Sequence, residues 1–192
     1  MTTVRTIVEG YGEVEALPVL LRRVAARDGI FHVNFPKPHR VPKSQMLTDN
    51  IKRASELQRR QLGDEPGGVL ILVDADDVDP DALVAKVEGL TRTADFDPFV
   101  VIAVKEFEAW FLAGIESLRS HRDVLNDASF AGDPEAPRGA KEALAAMMST
   151  GYTETRHQAA FASMLDLDTS AQRSPSLSRL IDVCRECYSF RQ

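Results

Sequence analysis

The chain has 192 residues, of which 44% are hydrophobic and 27% charged, and its formal net charge is −6. These values are typical of an ordinary globular protein and are most simply explained by one domain with its own core. Because no apolar stretch is long enough to cross a bilayer and the first residues lack a signal-peptide core, we expect a cytoplasmic protein with no membrane partner. The two cysteines, Cys184 and Cys187, do not indicate a disulfide framework.

Positive charge is concentrated in one segment, residues 36–60. Seven basic residues stand there against two acidic ones, a net charge of +5 that leaves −11 for the rest of the chain. A basic strip on an acidic body is typical of proteins that hold a phosphate-rich partner. A solvated helix face explains the same charges equally well. The basic residues are Lys37, Arg40, Lys43, Lys52, Arg53, Arg59 and Arg60.

The beginning of the chain is predicted to alternate between strands and helices. Val4–Val8 is the first predicted strand, and apolar residues at three- and four-residue spacing predict a helix over Val14–Arg27. This helix accommodates Pro18 only if that residue lies in the first turn, where a missing N–H is no loss. Ile30–Phe35 is the second predicted strand, and the proline-rich basic loop Pro36–Lys43 follows it.

Two further strand–helix units come next. Ser44 is the expected N-cap of the second helix. Val69–Val73 is an unbroken apolar run, the pattern of a strand buried on both faces. Asp79 and Pro80 supply the cap and the first residue of a third helix. Phe99–Val104 is the fourth predicted strand, and the aromatic residues after it predict another helix.

This alternation predicts an α/β fold in which a parallel four-stranded sheet is flanked by helices on both faces. The pattern changes after residue 122, where a polar loop precedes three predicted helices, Lys141–Met148, Arg156–Met164 and Ser176–Tyr188. We therefore expect an α/β domain at residues 1–122 and a helical C-terminal extension at residues 123–192, packed on the same domain.

Acidic residues follow three of the predicted strands. Glu9 comes after the first strand, Asp74 and Asp76 after the third, and Glu106 after the fourth. Because neighbouring parallel strands end at the same edge of a sheet, these carboxylates are expected to converge there. A hard cation such as Mg²⁺ or Mn²⁺ would relieve their mutual repulsion. Capping of the following helix is the alternative role for any one of them.

Several motifs resemble those of Toprim domains, the fold shared by topoisomerases, primases and the overcoming-lysogenization-defect nucleases. The order E-G-x-x-E-x-x-x-L-P from Glu9 onward precedes an apolar strand that ends in D-x-D at Asp74 and Asp76, and this order carries the resemblance. The block K-E-F-E-A-W-F-L-A from Lys105 onward is similar to a bacterial family of uncharacterised Toprim-like proteins. Two later blocks, D-P-E…K and S-P-S-L-S-R, extend that similarity over most of the chain.

The resemblance implies a divalent-metal phosphodiester chemistry. Glu9 would act as an acid/base or metal ligand, Asp74 and Asp76 would hold Mg²⁺, and Glu106 would be a further ligand. Lys105 would neutralise charge or contact phosphate, with an exposed ion pair as its alternative role. Topoisomerases also need an attacking tyrosine, and none of the three tyrosines lies in a suitable context. We therefore expect a hydrolytic nuclease.

Nucleic acid is the expected partner, with Arg40, Lys43, Arg53 and Arg59 as its contacts. The chain contains no G-x-x-x-x-G-K-[ST] loop, which excludes ATP hydrolysis by that device. Related nucleases carry or accompany an ATPase, so the resemblance implies a separately encoded ATPase partner and a role in defence against foreign DNA. A homo-oligomer is compatible with the sequence, which does not define the oligomeric state.

Two other functions stay open at the level of sequence. A Toprim-like module that binds metal or nucleic acid, or regulates a partner, without turnover would carry the same motifs. The segment D-A-D-D-V from Asp74 onward also satisfies the D-x-D-x-[TV] pattern of haloacid-dehalogenase-like phosphatases. That family normally carries the pattern on its first strand and has a later acidic pair, whereas here the pattern follows the third predicted strand.

Overall fold

A parallel β-sheet forms the centre of the computed structural model, which describes residues 1–136 and 139–189. The strands are β1 (Thr2–Val8), β2 (Val33–Asn34), β3 (His39–Arg40), β4 (Gly67–Asp74) and β5 (Phe99–Ala103). Their order across the sheet is β2-β1-β4-β5, with β3 also paired to β1, and every pairing is parallel. The predicted α/β class with a parallel sheet is confirmed.

The edge of the sheet beside β1 is built from two short pieces. β2 pairs with the start of β1, where Thr2 faces Val33, and β3 pairs with its end, where Ile7 faces His39. The predicted second strand is therefore shorter than expected, and part of the predicted basic loop is a strand. Pro36 and Pro38 lie between the two pieces, and because proline has no N–H to donate, they interrupt the ladder.

Eight α-helices surround the sheet in the described part of the chain, and none of them is long and apolar enough to span a membrane. They are α1 (Tyr11–Arg27), α2 (Asp49–Leu62), α3 (Pro80–Thr91), α4 (Glu108–Ala113), α5 (Ala140–Ala146), α6 (Glu154–Met164), α7 (Leu167–Arg173) and α8 (Pro175–Ser189). Short 3₁₀ segments cover Lys43–Gln45 and Ile115–Ser120. The predicted cap of α3 is confirmed, since the Asp79 side chain accepts a hydrogen bond from Ala82 N–H at 2.9 Å.

Two predictions about helix starts are wrong. Helix α1 begins at Tyr11, so Pro18 lies in its interior rather than in its first turn. Proline there cannot donate the hydrogen bond to the carbonyl of the residue four positions earlier. Burial of one face of α1 in the core compensates for this loss. The N-cap of α2 is Thr48, whose Oγ1 accepts from Asn50 N–H at 3.2 Å. Ser44 instead lies in the 3₁₀ turn that precedes it.

Each face of the sheet has its own hydrophobic core. Leu70 and Leu72 of β4 point into the core that contains α1, α4 and α8, while Val69 and Ile71 point into the core formed with α2 and α3. This two-sided burial explains the unbroken apolar run of β4. The C-terminal helices belong to the first core, because Phe161 of α6 packs there with the residues of α1 and α4.

Candidate functional site

The carboxyl edge of the sheet carries buried acidic residues. Asp74 is the last residue of β4, and Glu9 directly follows the neighbouring strand β1. Each of these residues is only 9% exposed. Five residue pairs join β1 to β4, so the sheet fixes the backbone that carries the two carboxylates.

The pKa of Glu9 lies close to neutral pH. Burial and, after it, the repulsion from Glu13 raise the pKa of Glu9 to about 7, while Lys43 acts in the opposite direction. Its Oε2 atom is buried and has no hydrogen-bond partner among the described residues. A buried, unpartnered carboxylate oxygen with such a pKa is typical of functional sites rather than of structural ones.

Asp74 is anchored on one side and repelled on the other. Its Oδ1 atom accepts a hydrogen bond from Phe107 N–H at 3.0 Å, which ties the end of β4 to the segment after β5. Burial, followed by repulsion from Glu13 and Glu9, raises the pKa of Asp74 well above its ordinary value. Asp74 and Glu9 therefore belong to one electrostatic cluster.

Two further members of this cluster, Glu13 and Glu108, were not assigned a site role from the sequence. Glu13 is 5% exposed, and its Oε2 accepts from the N–H groups of Glu9 at 3.2 Å and Gly10 at 3.0 Å. Burial is the first cause that raises its pKa. The sequence held a signal for it, because Glu13 is one turn before Leu17 and therefore lies on the buried face of α1.

Glu108 is completely buried at the start of α4. Its Oε1 accepts hydrogen bonds from Tyr152 Oη and Gln158 Nε2, both at 2.9 Å, whereas its Oε2 has no partner in the part of the chain that the structure describes. Burial raises the pKa of Glu108 in spite of these hydrogen bonds and of the Lys141 ammonium. Its spacing of three residues from the buried Phe111 is the only local sign of its position.

Asp76 lies at the outer side of the cluster, where Lys43 contacts it. Asp76 and Lys105 both have left-handed backbone conformations, with φ of 49° and 66°, and Asp76 N–H donates to the Lys105 carbonyl at 2.8 Å. The Lys43 ammonium forms an ion pair with Asp76 Oδ2. Burial lowers the pKa of Lys43, but its interactions with Asp76, Glu9 and Asp74 raise it by more.

Lys105 and Glu106 line a small cleft beside Asp76. The cleft has a volume of about 130 Å³, and Asp77 and Gly139 complete its lining. Lys105 Nζ is 3.6 Å from Asp77 Oδ1, and Glu106 Oε2 accepts from the N–H of Lys141 at 3.1 Å. Glu106 thus holds the start of α5 next to the cleft.

The predicted nucleic-acid contacts fall into two groups. Lys43 touches Asp76, and Arg40 donates a hydrogen bond to the main-chain carbonyl of Glu9 at 3.2 Å. Arg53 is exposed and lines a groove of 240 Å³ together with Arg40. Arg59 lies about 9 Å further along α2, given a rise of 1.5 Å per residue. Its guanidinium is 5.6 Å from the ring centre of Phe96, in the loop before β5.

Comparison with protein families identifies the chain. The model for a domain of unknown function, DUF4276, matches residues 8–184. The chain belongs to the DUF4276 family. This match includes every residue of the carboxylate cluster, the whole of helices α5, α6 and α7, and residues 175–184 of α8.

Other comparisons add little to this DUF4276 assignment. No curated protein sequence matches the chain. Among solved structures, it is similar to the C-terminal region of the Burkholderia pseudomallei OLD protein, with 15% sequence identity over 97% of this chain and 98% of that one. The TM-score of 0.43 is too low to define the fold, which rests here on strand order and register.

The donor atoms of the DUF4276 cluster fit a hard divalent cation. Carboxylate oxygens are the ligands that Mg²⁺ and Mn²⁺ prefer, and the buried Oε2 atoms of Glu9 and Glu108 lack other partners among the described residues. The side chains are not drawn together as a closed coordination shell, since no group of three or more His, Cys, Asp or Glu in residues 1–136 and 139–189 is arranged to hold a metal ion. Lys43 supplies positive charge at Asp76 instead.

The repulsion within the cluster predicts a pH-dependent stability for the DUF4276 chain without metal. The pKa of Glu9 is about 7 in the folded chain and 4.5 in its ordinary environment. The folded state therefore binds the proton more tightly, and this contribution to stability is complete below about pH 4.5 and is lost as the pH rises through 7. Glutamine does not ionise, so Glu9→Gln should not lose stability in this way as the pH rises. Between about pH 5 and pH 8 the free energy of unfolding of the variant should therefore increase by roughly 2 kcal/mol relative to wild type.

Urea unfolding in the presence of a chelator measures this difference. Glu15→Gln is the matched control, because Glu15 is an exposed acid of α1 outside the cluster. If the free energy of unfolding changed equally with pH in the two variants, Glu9 would have its ordinary pKa in the folded chain.

Proposed function

We propose that this DUF4276 protein is a divalent-cation-dependent nuclease that hydrolyses phosphodiester bonds. The observation that carries the proposal is the buried cluster of four acids, Glu9, Glu13, Asp74 and Glu108, next to basic residues that face solvent. Burial raises the pKa of each of the four carboxyl groups, although the half-buried Lys141 ammonium acts in the opposite direction at Glu13, Asp74 and Glu108. Such groups destabilise a fold, and proteins retain them where a ligand compensates them. The resemblance of E-G-x-x-E and D-x-D to Toprim motifs supports the same chemistry.

The side chains suit distinct tasks in this reaction. A bound divalent cation would orient the phosphate and lower the pKa of a water molecule. Glu9, with a pKa of about 7, is suited to accept or donate a proton at neutral pH. Asp74, Glu13, Glu108 and Asp76 would provide the oxygen donors for the cation. Lys43 is free to pair with a substrate phosphate once a cation has neutralised Asp76.

A second function, a module that binds metal or nucleic acid without turnover, is favoured by two observations. Lys43 already neutralises Asp76, and the described acids do not form a closed coordination shell. If this pairing persists, Asp76 is neutralised without a cation, and its charge needs no chemistry to explain it. The two functions differ in whether product is formed.

A cleavage assay tests the proposal. Single- and double-stranded DNA and RNA are incubated with the protein and Mg²⁺ or Mn²⁺, and parallel reactions contain a chelator. The proposal predicts cutting that depends on the cation. Cation binding without cutting on any of the four substrates would favour the silent module.

Charge reversal at Arg53 tests the basic strip. Arg53 is exposed in the groove next to Arg40, so Arg53→Glu should weaken nucleic-acid binding by about tenfold and reduce the salt dependence by about one phosphate contact. Arg59→Glu should have a smaller effect, because Arg59 packs near Phe96. Binding titrations at several salt concentrations measure both variants, with exposed Arg22→Glu as the control. If the salt dependence of nucleic-acid binding were unchanged in Arg53→Glu, this face would be solvated and would not contact phosphate.

We extend the proposal to a separately encoded ATPase partner acting in defence against foreign DNA. The resemblance to nucleases that work with an ATPase supports this extension. Copurification of the tagged protein from its host should recover an ATPase, and its absence from the purified material would remove this part of the proposal.

A further inference from the structure

An exposed aromatic ring is fixed in place at the rim of the carboxylate cluster. Tyr11 is the first residue of α1 and lies two positions after Glu9, and it is 66% exposed. Isolated exposed aromatic residues are common on protein surfaces and need no explanation. Tyr11 differs from them because its orientation is held by specific contacts.

Arg40 makes these contacts. Its guanidinium carbon is 3.9 Å from the centre of the Tyr11 ring, the geometry of a cation–π interaction. The same guanidinium donates to Tyr11 Oη at 3.1 Å and to the Glu9 carbonyl at 3.2 Å. The two contacts with Tyr11 therefore orient its ring, and the third ties the pair to Glu9, which directly follows β1.

The surroundings of Tyr11 and Arg40 have the chemical groups that suit a nucleotide. The guanidinium covers part of the Tyr11 ring, and the large exposed fraction of the residue leaves further ring surface open to solvent. The adjoining groove of 240 Å³ is lined by Arg40, Arg53 and the polar side chains of Gln45 and Asn50. A π-face that is fixed in position beside positive charge is the combination that binds a base together with its phosphate.

We propose that Tyr11 and Arg40 form a stacking platform for one unpaired base, and that this protein binds single-stranded nucleic acid or frayed ends at the platform. In a duplex the faces of the bases are stacked on their neighbours and are not accessible to a protein ring. The proposal rests on the proposed function for its choice of nucleic acid. The platform lies next to Glu9, so an unpaired nucleotide bound there delivers its neighbouring phosphate to the cluster.

Fluorescence anisotropy with a short labelled oligothymidine, in a chelator that prevents cleavage, tests the platform. Tyr11→Ala and Tyr11→Leu should each weaken single-strand binding by about tenfold, whereas Tyr11→Phe keeps the ring and should stay within about twofold of wild type. Neither loss should change the salt dependence, because no charge is removed, while Arg40→Gln should reduce it. Binding of a blunt duplex should change little in the Tyr11 variants.

Phe31→Ala is the matched control. Phe31 is 75% exposed and precedes β2, at the opposite edge of the sheet from the cluster, so its removal should leave binding unchanged. The platform is overturned if the wild type does not bind the oligothymidine, if Tyr11→Ala behaves like Phe31→Ala, or if single-strand and duplex binding fall equally. Tight single-strand binding through Tyr11 without any cation-dependent cutting would support the platform and overturn the nuclease, which separates the two proposals.

Discussion

Replacing Asp74 by Asn should strongly reduce cation-dependent cleavage and at the same time make the protein more stable. Asparagine keeps the oxygen that accepts from Phe107 N–H, and it removes one negative charge from the cluster. We expect the cleavage rate to fall by about 10³-fold, the order found when an electrostatic group is removed from an active site. The free energy of unfolding without metal should rise by about 1–3 kcal/mol near pH 8, because a buried and repelled charge is gone.

Cleavage kinetics and urea unfolding of the same preparation measure the two effects. Asp64→Asn is the matched control, since Asp64 is an exposed acid just before β4, at the edge of the sheet opposite Asp74. It should change neither quantity. A loss of cleavage in Asp74→Asn that is accompanied by a loss of stability would mean that Asp74 has a structural role, and unchanged cleavage would remove Asp74 from the site.

Replacing Gly12 by Ala should destabilise the protein by about 3 kcal/mol, because helices α1 and α6 are in close contact at this position. A Cβ atom at Gly12 would overlap the Gln158 side chain and would lie 3.1 Å from the main-chain carbonyl carbon of Glu154. Gln158 donates a hydrogen bond to Glu108, so moving it also disturbs the carboxylate cluster. Thermal or urea unfolding measures the loss of stability.

Gly89→Ala provides the comparison in the opposite direction. Gly89 lies inside α3, and no atom would come within 4 Å of an added Cβ. Alanine favours the helix there, so this variant should be more stable than wild type by up to about 1 kcal/mol. If Gly12→Ala is as well tolerated as Gly89→Ala, the helices α1 and α6 do not pack as closely as described.

The sheet was predictable because its signals are local. The apolar run Val69–Val73 matches a strand that is buried on both faces, and Asp79 with Pro80 matches the observed start of α3. Glu9 and Asp74 were found for a related reason, since the position of a residue at the end of a strand is visible in the sequence. Neighbouring parallel strands then place those ends at one edge.

Glu108 could not be recognised in this way, because its partners come from distant parts of the chain. Tyr152 and Gln158, which donate to it, belong to the segments around α6, and the burial that raises its pKa arises only when these helices pack on α4. The same holds for the ion pair between Lys43 and Asp76. The sequence suggested Lys43 only as a contact for phosphate. Contacts of this kind depend on tertiary structure and leave little local pattern.

Helix α7 was missed for a different reason. Its seven residues contain few apolar positions, so no helical periodicity is visible. The sequence nevertheless contained a capping residue for this helix. It is Asp166, whose side chain accepts hydrogen bonds from the N–H groups of Asp168 and Thr169. Pro18 inside α1 shows the converse, where burial of the helix outweighs an unfavourable local residue.

Binding of Mn²⁺ to the metal-free protein, followed by electron paramagnetic resonance near pH 8, tests most directly whether the buried acids form a cation site. We expect the wild type and Asp64→Asn to bind Mn²⁺ equally, and Glu9→Gln and Asp74→Asn to bind it at least about tenfold more weakly, because each variant lacks one carboxylate of the cluster. Wild-type protein that binds no Mn²⁺, or variants that bind it as tightly as wild type, would contradict a cation site at these residues.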